Sequence, residues 1–503
     1  MPETPPETAD PLRGDTISRN ALYAFAAQMG TAAFTAGLTI FLTRKLGPAG
    51  FGTFSLALSV TGLLLRPAGG GTSQAAARFI AEHHGDVRGI RGVLGMALRY
   101  RTLTATGIGV LLFALAGPIS SLYNTPELVG PLRGAACAFV GQNLMTFFRY
   151  ALIALRRASE GFALVMSESA AEAAATVALV LAGGGATGAA YGRAAGYAFG
   201  VVLGIFILAR LLGGSPILRT GPSPVGRKQF VSYAGAMLVV ASATAVYSQL
   251  DVLLLGAFLT TSAVGIYSAP LRFISFLGYP GLAISQGVGP RLARHRADPP
   301  KVRALERGLR YVILFQAWLT AVLLVWAGPI VDLLLGPAFA QSADVIRVLM
   351  PSIFLNGIGP LLFAALNYAG EGKRRIPYAI ATVLLAAALD VVLIPRIGVL
   401  GAAIGSDIAF ALFIGAHVWL VRRFIGLRLE PLVATSLRSL AAAAVTAGIL
   451  ALFGTHDLSV LDWTVGLAAG TAAFVAGLLI TREISWPELR TLAREPLTAV
   501  RRG

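Results

Sequence analysis

The residues best able to do chemistry in this chain are charged side chains inside long apolar segments. A charge at the centre of a bilayer costs about 2.5–3.5 kcal/mol on insertion scales, so such residues usually face a partner or a polar cavity. Arginine suits phosphate, because its planar fork donates several hydrogen bonds and keeps its charge. Among these intramembrane residues, those in the first half of the chain carry a net positive charge and those in the second half a net negative charge. The nine residues are Arg66, Arg149, Arg193, Glu168 and Glu172, then Arg272, Asp251, Asp390 and Asp407.

Two of these carboxylates predict an ion pair. Glu168 and Glu172 are four residues apart, so they share one helix face, where two bare carboxylates would repel. Glu172 lies ~15 Å above one membrane surface and Arg193 ~9 Å below the other, so in a ~30 Å core their heights differ by ~6 Å. We predict that Glu172 and Arg193 pair. The pair is either a static link or a coupling device, in which phosphate competes for Arg193 and Glu172 takes up a proton.

Structural roles stay open for the other charges. Arg149 and Arg272 could extend towards the membrane surface or pair with an acid. Asp251 stands near a predicted span end and could cap or pair there.

Two apolar segments carry matched interruptions. The first reads "LLLRPAGGGTSQ" and the second "LGYPGLAISQ", and proline removes a helical hydrogen bond. Pro67 and Pro280 correspond at an offset of 213 residues, and Gln74 and Gln286 at 212. Paired breaks of this kind indicate a binding site in transport proteins, although they could also serve packing alone. The glycines of these predicted breaks are Gly69, Gly70, Gly71 and Gly281.

These residues must be positioned by membrane helices. The composition is 56% hydrophobic and only 13% charged, whereas soluble domains carry about 25% charged residues. We therefore predict an all-α polytopic membrane protein. The fourteen predicted spans are 20–43, 53–80, 97–117, 135–155, 162–183, 187–212, 232–256, 264–290, 309–335, 345–369, 377–396, 399–421, 433–453 and 462–481.

The positive charge predicts the orientation of these spans. Of 41 Lys and Arg residues, the outer loops and outer span ends would hold five and the span interiors four, which leaves 32 in the inner loops, inner span ends and tails. That bias predicts cytoplasmic N- and C-termini in the cell membrane. It also explains the net charge of +17, so we predict no nucleic-acid partner. Residues 1–19 form a polar tail without the apolar core of a signal peptide.

Internal echoes predict two related halves. "ALRRASEG" at 154–161 returns as "ALNYAGEG" at 365–372, 211 residues later. "GAAYG" at 188–192 returns as "GAAIG" at 401–405. Since six spans are even in number, both halves enter from the same side, with a substrate site between them. The predicted domains are a tail (1–19), an N-lobe (20–212), a linker (213–231), a C-lobe (232–421), two extra spans (433–481) and a cytoplasmic tail (482–503).

Other signals exclude several classes of site. Cys137 is the only cysteine, so no intrachain disulfide can form. The five histidines show no metal-ligand spacing, and we predict no metal site. "GGGATG" at 183–188 matches a dinucleotide-binding pattern but sits between two spans, so we interpret it as a tight turn.

Several segments resemble one transporter family. "RKLGPAGFGTFSLALSV", "QLDVLLLGAFLTTSAVGIYSAP" and "LIPRIGVLGAAIGSDIA" are similar to the polysaccharide-transporter branch of the multidrug/oligosaccharidyl-lipid/polysaccharide (MOP) flippase superfamily. The resemblance implies two six-helix lobes plus two helices, and alternating access that moves undecaprenyl-diphosphate-linked sugar repeats across the membrane. By position, Arg66, Arg149, Arg193 and Arg272, with Gln74 and Gln286, become candidates for a central substrate site. Gly69 stands where many members have an acidic residue.

The resemblance also implies partners and leaves alternatives. The partners would be a lipid-linked oligosaccharide and the bilayer, with polysaccharide polymerase and chain-length proteins as candidates. We predict no cofactor, with an H⁺ or Na⁺ gradient as the candidate driving force. The alternatives are a lipid II flippase, or a cation-coupled drug antiporter of the same superfamily. A membrane polymerase or glycosyltransferase is disfavoured because the predicted outer segments are short.

Overall fold

The computed structural model describes residues 17–69, 71–83, 86–213, 223–288 and 299–490. Every regular element in these ranges is a helix. This follows from the apolar composition, because a helix satisfies its own backbone hydrogen bonds away from water. The predicted all-α polytopic membrane fold is confirmed.

The chain divides into two compact units, Met1–Ser268 and Ala269–Gly503. The helices that begin in the first unit are α1 (Ile17–Gly69), α2 (Thr72–Glu82), α3 (Val87–Ala114), α4 (Ala116–Leu122), α5 (Val129–Ala154), α6 (Ala158–Leu179), α7 (Gly185–Leu212), α8 (Arg227–Phe258) and α9 (Thr261–Ile274). Those of the second unit are α10 (Tyr279–Val288), α11 (Pro299–Leu334), α12 (Ser342–Val348), α13 (Met350–Asn356), α14 (Gly359–Tyr368), α15 (Ile376–Ile397), α16 (Val399–Ile425), α17 (Leu429–Leu452) and α18 (Val460–Ile480).

Within the described residues, each predicted span falls largely on helical structure. Among the described residues, eight helical segments are long and apolar enough to cross a membrane, or nine if the bent pair α3–α4 forms one span. Two of these segments, Leu22–Ile80 and Ala158–Leu212, contain two predicted spans each. The count of fourteen stays a prediction.

The first two predicted spans are joined without the expected loop. Helix α1 runs through the first predicted span and into the second, and its backbone leaves helical geometry at Gly47, with φ 65° and ψ −177°. This conformation is essentially restricted to glycine, so Gly47 lets one long helix bend where a loop was predicted.

The first unit is built around α7, which packs against α5 and α6. Its apolar core includes the fully buried side chains Phe79, Ile90, Phe147 and Phe148. Helix α8, which was predicted to begin the second lobe, packs against α1 within this unit. The predicted domain boundaries themselves stay predictions.

The second unit packs α15 against α16, and α11 against α17. The last two helices share a core with α11 that includes Ala317, Ala442, Phe474 and Leu478. The two extra C-terminal helices are therefore packed into the second unit.

A polar network fixes the chain that follows α18. Arg310 donates from Nε to Glu483 (2.8 Å) and from Nη1 to Glu488 (2.7 Å). Glu483 also accepts from Thr435 at 2.7 Å and from Arg438 at 3.1 Å. Burial opposes ionisation of Glu483 and Glu488, but these hydrogen bonds outweigh it and hold the pKa of both carboxyls below the ordinary range.

The sequence echoes occupy similar places in the two units. "ALRRASEG" covers the end of α5 and the start of α6, and "ALNYAGEG" covers the end of α14 and the turn that precedes α15. Both helices end before a residue in the left-handed region, Arg156 (φ 57°) and Gly370 (φ 80°). The echoes thus mark the same kind of helix-to-helix turn.

Candidate functional site

The predicted ion pair is present in the first unit. Arg193 Nη1, on α7, donates to Glu172 Oε1, on α6, at 2.5 Å. Arg193 Nη2 donates to the hydroxyl of Tyr197 at 2.9 Å, and the guanidinium lies 5.1 Å from the centre of that ring. The Arg193 and Glu172 side chains are 21% and 12% exposed. The charge of Arg193 is therefore already engaged.

A glycine turn and a glycine stripe bring α6 and α7 together. Gly183 (φ 88°) and Gly185 (φ 53°) adopt backbone angles that fit the tight turn predicted for "GGGATG". Along α7, a Cβ on Gly192 would lie 2.4 Å from Thr176 Cα, and one on Gly196 would lie 2.5 Å from Glu172 Cα. The backbones therefore touch beside the ion pair, as small residues allow between membrane helices.

Glu168 completes this cluster on α6. It is buried, with 6% exposure, one helical turn before Glu172. Its Oε2 accepts from the Ser169 hydroxyl at 3.4 Å, whereas its Oε1 has no hydrogen-bond partner among the described residues. The cluster holds two carboxyl groups and one guanidinium, so Glu168 is the group without a matching cation.

The matched interruptions are both present, but they differ in register. The first separates α1 from α2 around Gly71, whose φ is 70°. The second is a 3₁₀ turn, Ser275–Gly278, between α9 and α10. Pro67 lies before its interruption, while Pro280 follows its own and occupies the first turn of α10, where a missing N–H costs nothing.

Close backbone contacts surround both interruptions. A Cβ on Gly71 would lie 2.1 Å from Ala234 O, and one on Gly281 would lie 2.0 Å from Gly357 O. Gly70 lies outside the described residues. These glycines therefore allow neighbouring backbone to approach the interrupted helices.

A buried arginine that the sequence analysis missed supports the first interruption. Arg101, on α3, is 3% exposed and donates from Nε to Asn143 O (3.1 Å) and from Nη1 to the Thr72 hydroxyl (3.2 Å). A Cβ on Gly69 would lie 2.0 Å from Arg101 Nη1. Arg101 lies near the start of the predicted span 97–117, where an arginine is expected to face the membrane surface. Its depth in the fold follows from helix packing, which a charge pattern does not contain.

The other predicted arginines and glutamines lie on other helices, and Arg149 acts electrostatically on Tyr197 of the ion-pair cluster. Arg149 is exposed on α5, Arg272 is half-buried on α9 and Gln74 is exposed on α2. Arg66 lies on α1 and Gln286 on α10, but their side chains are outside the described part of the chain. Their substrate-binding role stays a prediction.

The three aspartates occupy separate places. Asp251 accepts a hydrogen bond from the Tyr267 hydroxyl in the first unit. In the second unit, Asp407 accepts from the backbone N–H of Ser352 at 3.1 Å, and Asp390 is fully buried on α15. Their part in ion coupling stays a prediction.

Comparison with protein families agrees with this arrangement. The family model described as polysaccharide biosynthesis protein matches residues 17–285, more than half of the chain. The chain belongs to the polysaccharide biosynthesis protein family. The MatE family model matches residues 236–392, which supports membership of the MOP flippase superfamily.

Curated relatives match in part. A Haloferax volcanii protein named as a probable low-salt glycan biosynthesis flippase, Agl15, is 22% identical over 54% of this chain and 58% of its own. A Shigella flexneri protein assigned as an O-antigen transporter is 25% identical over 39% of this chain and 47% of its own. This chain thus spans about half the length of these relatives.

Solved structures share the fold over most of the chain. A lipid II flippase MurJ, in an inward closed conformation, has a TM-score of 0.75 at 12% identity and covers 92% of this chain and 99% of its own. An outward-facing MATE multidrug resistance transporter has a TM-score of 0.59 at 15% identity, over 84% and 98%. At these identities the likeness shows the fold alone.

Proposed function

We propose that this protein is a flippase for undecaprenyl-diphosphate-linked oligosaccharide repeat units. It moves them across the cytoplasmic membrane for assembly of a cell-surface polysaccharide such as O-antigen, capsule or exopolysaccharide. The two predicted lobes alternate access to the two sides of the membrane. The chain is a transporter and carries out no bond chemistry on its substrate.

The observation that carries the proposal is the pair of interrupted helices in a polysaccharide biosynthesis family member. Interrupted spans expose backbone groups that would be unsatisfied against lipid, so they are tolerated where they line a polar path. The α1–α2 and α9–α10 interruptions occur within the same corresponding pair of predicted spans, although their registers differ by several residues. The relatives named as a glycan biosynthesis flippase and an O-antigen transporter support the same substrate class.

Transport of an isolated lipid tests this proposal. Purified full-length protein is reconstituted into proteoliposomes with a fluorescent undecaprenyl-diphosphate oligosaccharide, and a membrane-impermeant quencher reports the outer fraction. We expect faster exchange than in protein-free vesicles. Arg66→Ala, beside the first interruption, is expected to abolish exchange at unchanged protein level.

The control variant for Arg66 is Arg133→Ala, an exposed arginine on α5 of the same unit that is not a candidate for the substrate site. A second arm uses lipid II, which carries the same lipid and diphosphate but a different sugar. Exchange of lipid II without exchange of other oligosaccharide lipids would contradict the polysaccharide assignment. No exchange of either lipid would contradict the flippase assignment.

We further propose that an ion gradient drives transport through the α6–α7 cluster. Glu168 supports this role, because Arg193 donates to Glu172 while Oε1 of the buried Glu168 has no hydrogen-bond partner among the described residues. Glu168 is the group that binds H⁺ or Na⁺, and Glu172 remains paired with Arg193. This assignment replaces the sequence-based one, in which Glu172 took up the proton.

Imposed gradients test the coupling. Exchange in proteoliposomes is compared under a pH gradient, a Na⁺ gradient and no gradient. We expect one of the two gradients to accelerate exchange in the wild type and to have no effect in Glu168→Gln. Acceleration of Glu168→Gln equal to that of the wild type would overturn the assignment.

A further inference from the structure

The turn between α14 and α15 carries a basic cluster that the proposed transport path does not use. The turn contains Lys373, Arg374 and Arg375. The end of α16, in the same unit, carries two more basic residues, Arg422 and Arg423. The Lys and Arg distribution predicts that this turn faces the cytoplasm. The arrangement of one member, Arg375, differs from that of its neighbours.

Every partner of the Arg375 guanidinium is uncharged. Its Nε donates to His417 Nε2 at 3.0 Å, and its Nη1 donates to Asn367 Oδ1 at 3.1 Å. The guanidinium also lies over the Phe363 ring, 4.4 Å from the ring centre. Within the described residues it has no ion pair. Arg375 is thus held in one orientation with its full positive charge and with further N–H donors unused.

His417 is built to hold this arginine as a neutral acceptor. It is fully buried, and its Nδ1 lies 2.7 Å from Phe413 O. A carbonyl oxygen only accepts, so Nδ1 carries the proton, and Nε2 is left with the lone pair that accepts from Arg375. A buried neutral histidine aimed at an arginine orients the guanidinium without cancelling its charge.

The neighbouring arginines show the contrast. Arg374 donates to Glu371 at 2.6 Å, so its charge is neutralised. At the corresponding turn of the first unit, Arg157 pairs with Glu160 at 3.2 Å. Arg375 is also held by hydrogen bonds, but it has no ion pair among the described residues.

Aromatic side chains place this cluster at the level of lipid head groups. Tyr368, at the end of α14, is 45% exposed, and Trp419, two residues after His417, is 53% exposed. The rings of Tyr378 and Trp419 lie 6.5 Å apart. Exposed Tyr and Trp are enriched where membrane helices meet the head-group layer. An anion that reaches Arg375 is therefore presented by the membrane.

We propose that Arg375, oriented by His417 and Asn367, binds the phosphate group of an anionic membrane lipid at this turn. The oriented guanidinium donates hydrogen bonds to two phosphate oxygens, which is the geometry that arginine prefers with phosphate. The lipid acyl chains extend along the apolar surfaces of α15 and α16. The site lies wholly in the second unit and is independent of which lipid-linked sugar is transported.

Native mass spectrometry of the purified full chain tests the site. Phosphatidylglycerol is titrated onto the delipidated protein in detergent, and the one-lipid population gives its affinity. Arg375→Gln is compared with Arg374→Gln, because each variant removes one positive charge and changes long-range attraction equally. We expect Arg375→Gln to weaken binding about fivefold or more relative to Arg374→Gln. Equal weakening in the two variants would overturn the site.

Two further ligands identify the source of the phosphate. Phosphatidylcholine has the same acyl chains but no net charge, and we expect its binding to be unchanged by Arg375→Gln. Inorganic phosphate is added as a competitor and is expected to leave bound phosphatidylglycerol in place. Displacement by millimolar inorganic phosphate would assign the site to a free anion instead. A loss of phosphatidylcholine equal to that of phosphatidylglycerol would show an acyl-chain effect and reject the phosphate contact.

His417 is a positioning residue, and two substitutions separate its role from packing. His417→Gln keeps an oxygen that can accept from Arg375, whereas His417→Phe keeps a planar ring without an acceptor. We expect His417→Gln to retain most of the phosphatidylglycerol affinity and His417→Phe to lose as much as Arg375→Gln. Full affinity for phosphatidylglycerol in a folded His417→Phe variant would show that His417 does not position Arg375.

Discussion

Two substitutions break the Glu172–Arg193 pair, and removing Arg193 should destabilise the first unit more than neutralising Glu172. The perturbations are Glu172→Gln, which keeps the shape of the native side chain, and Arg193→Gln, which shortens the side chain and removes its charge. Arg193→Gln leaves Glu168 and Glu172 on one face with no cation between α6 and α7. Glu172→Gln leaves Arg193 with an amide oxygen to bond and with Glu168 one helical turn away.

The geometry sets the size of the difference. Removing one member of a buried ion pair costs about 3–5 kcal/mol. The 21% and 12% exposure of Arg193 and Glu172 allows some solvent screening, so we expect about 3 kcal/mol for Arg193→Gln. The Tyr197 hydrogen bond is lost in the same variant. For Glu172→Gln we expect about 1–2 kcal/mol, the value of one weakened charge-assisted hydrogen bond.

Thermal unfolding of the detergent-purified variants measures these effects. Midpoints are compared at one heating rate, since unfolding of such proteins is often irreversible. The double variant Glu172→Gln/Arg193→Gln should lose less than the two single losses combined, by about 1–3 kcal/mol. The swapped variant Glu172→Arg/Arg193→Glu should regain stability relative to Arg193→Gln.

Two results would refute this reasoning. Additive losses in the double variant, with no recovery in the swapped variant, would mean that the pair contributes no coupling. Equal losses for the two single variants would mean that Glu168 does not approach Arg193 when Glu172 is neutral. Recovery of stability without recovery of transport would show that the pair exists and that transport needs its present orientation.

Three further predictions concern packing, pH and topology. Gly196→Ala should cost about 1–3 kcal/mol of stability, because the added Cβ would meet the Glu172 backbone. The control Gly107→Ala adds a Cβ with nothing within 4 Å, so in the same thermal assay it should be neutral or gain up to about 1 kcal/mol. The pKa values of Glu483 and Glu488 are lowered, so the stability that these ionised carboxylates contribute is fully present above the ordinary glutamate pKa of about 4.3. That stability is lost as the pH falls through the lowered pKa values. Thermal midpoints should therefore drop on acidification in the wild type and drop less in Glu483→Gln. Reporters fused after residue 503 and within 371–376 should be cytoplasmic and one within 336–344 external; an external C-terminus would mean an odd number of spans.

The elements of the fold were largely predictable because membrane helices have a strong apolar signal and a fixed rise per residue. The same rise per residue predicted the Glu172–Arg193 pair, because the number of residues from the start of a helix gives the height of a side chain along it. The bend at Gly47 was missed, because glycine in an apolar segment does not say whether a loop or a kink follows. The registers of Pro67 and Pro280 differ because proline is accepted both near a helix end and in a first turn.

Contacts between distant segments could not be predicted. Arg310 and Glu483 are separated by 173 residues, and their pairing depends on how α11 packs against the chain that follows α18. Arg101 lies near the start of a predicted span, although it is buried beside the first interruption. Arg375 and His417 are 42 residues apart on helices that meet only in the folded unit. Charge patterns indicate depth along a helix but not which helices are neighbours.

The backbone contact between α6 and α7 makes this helix pair a fixed distance reference for spectroscopy. Helices separated by side chains can slide by changing rotamers, but Gly192 and Gly196 leave no side chain between the two backbones. Spin labels on the exposed faces of α6 and α7 should therefore report one fixed distance in every state of the transport cycle. That distance would calibrate label motion, so that changes measured elsewhere in the first unit can be assigned to the protein and not to the probe.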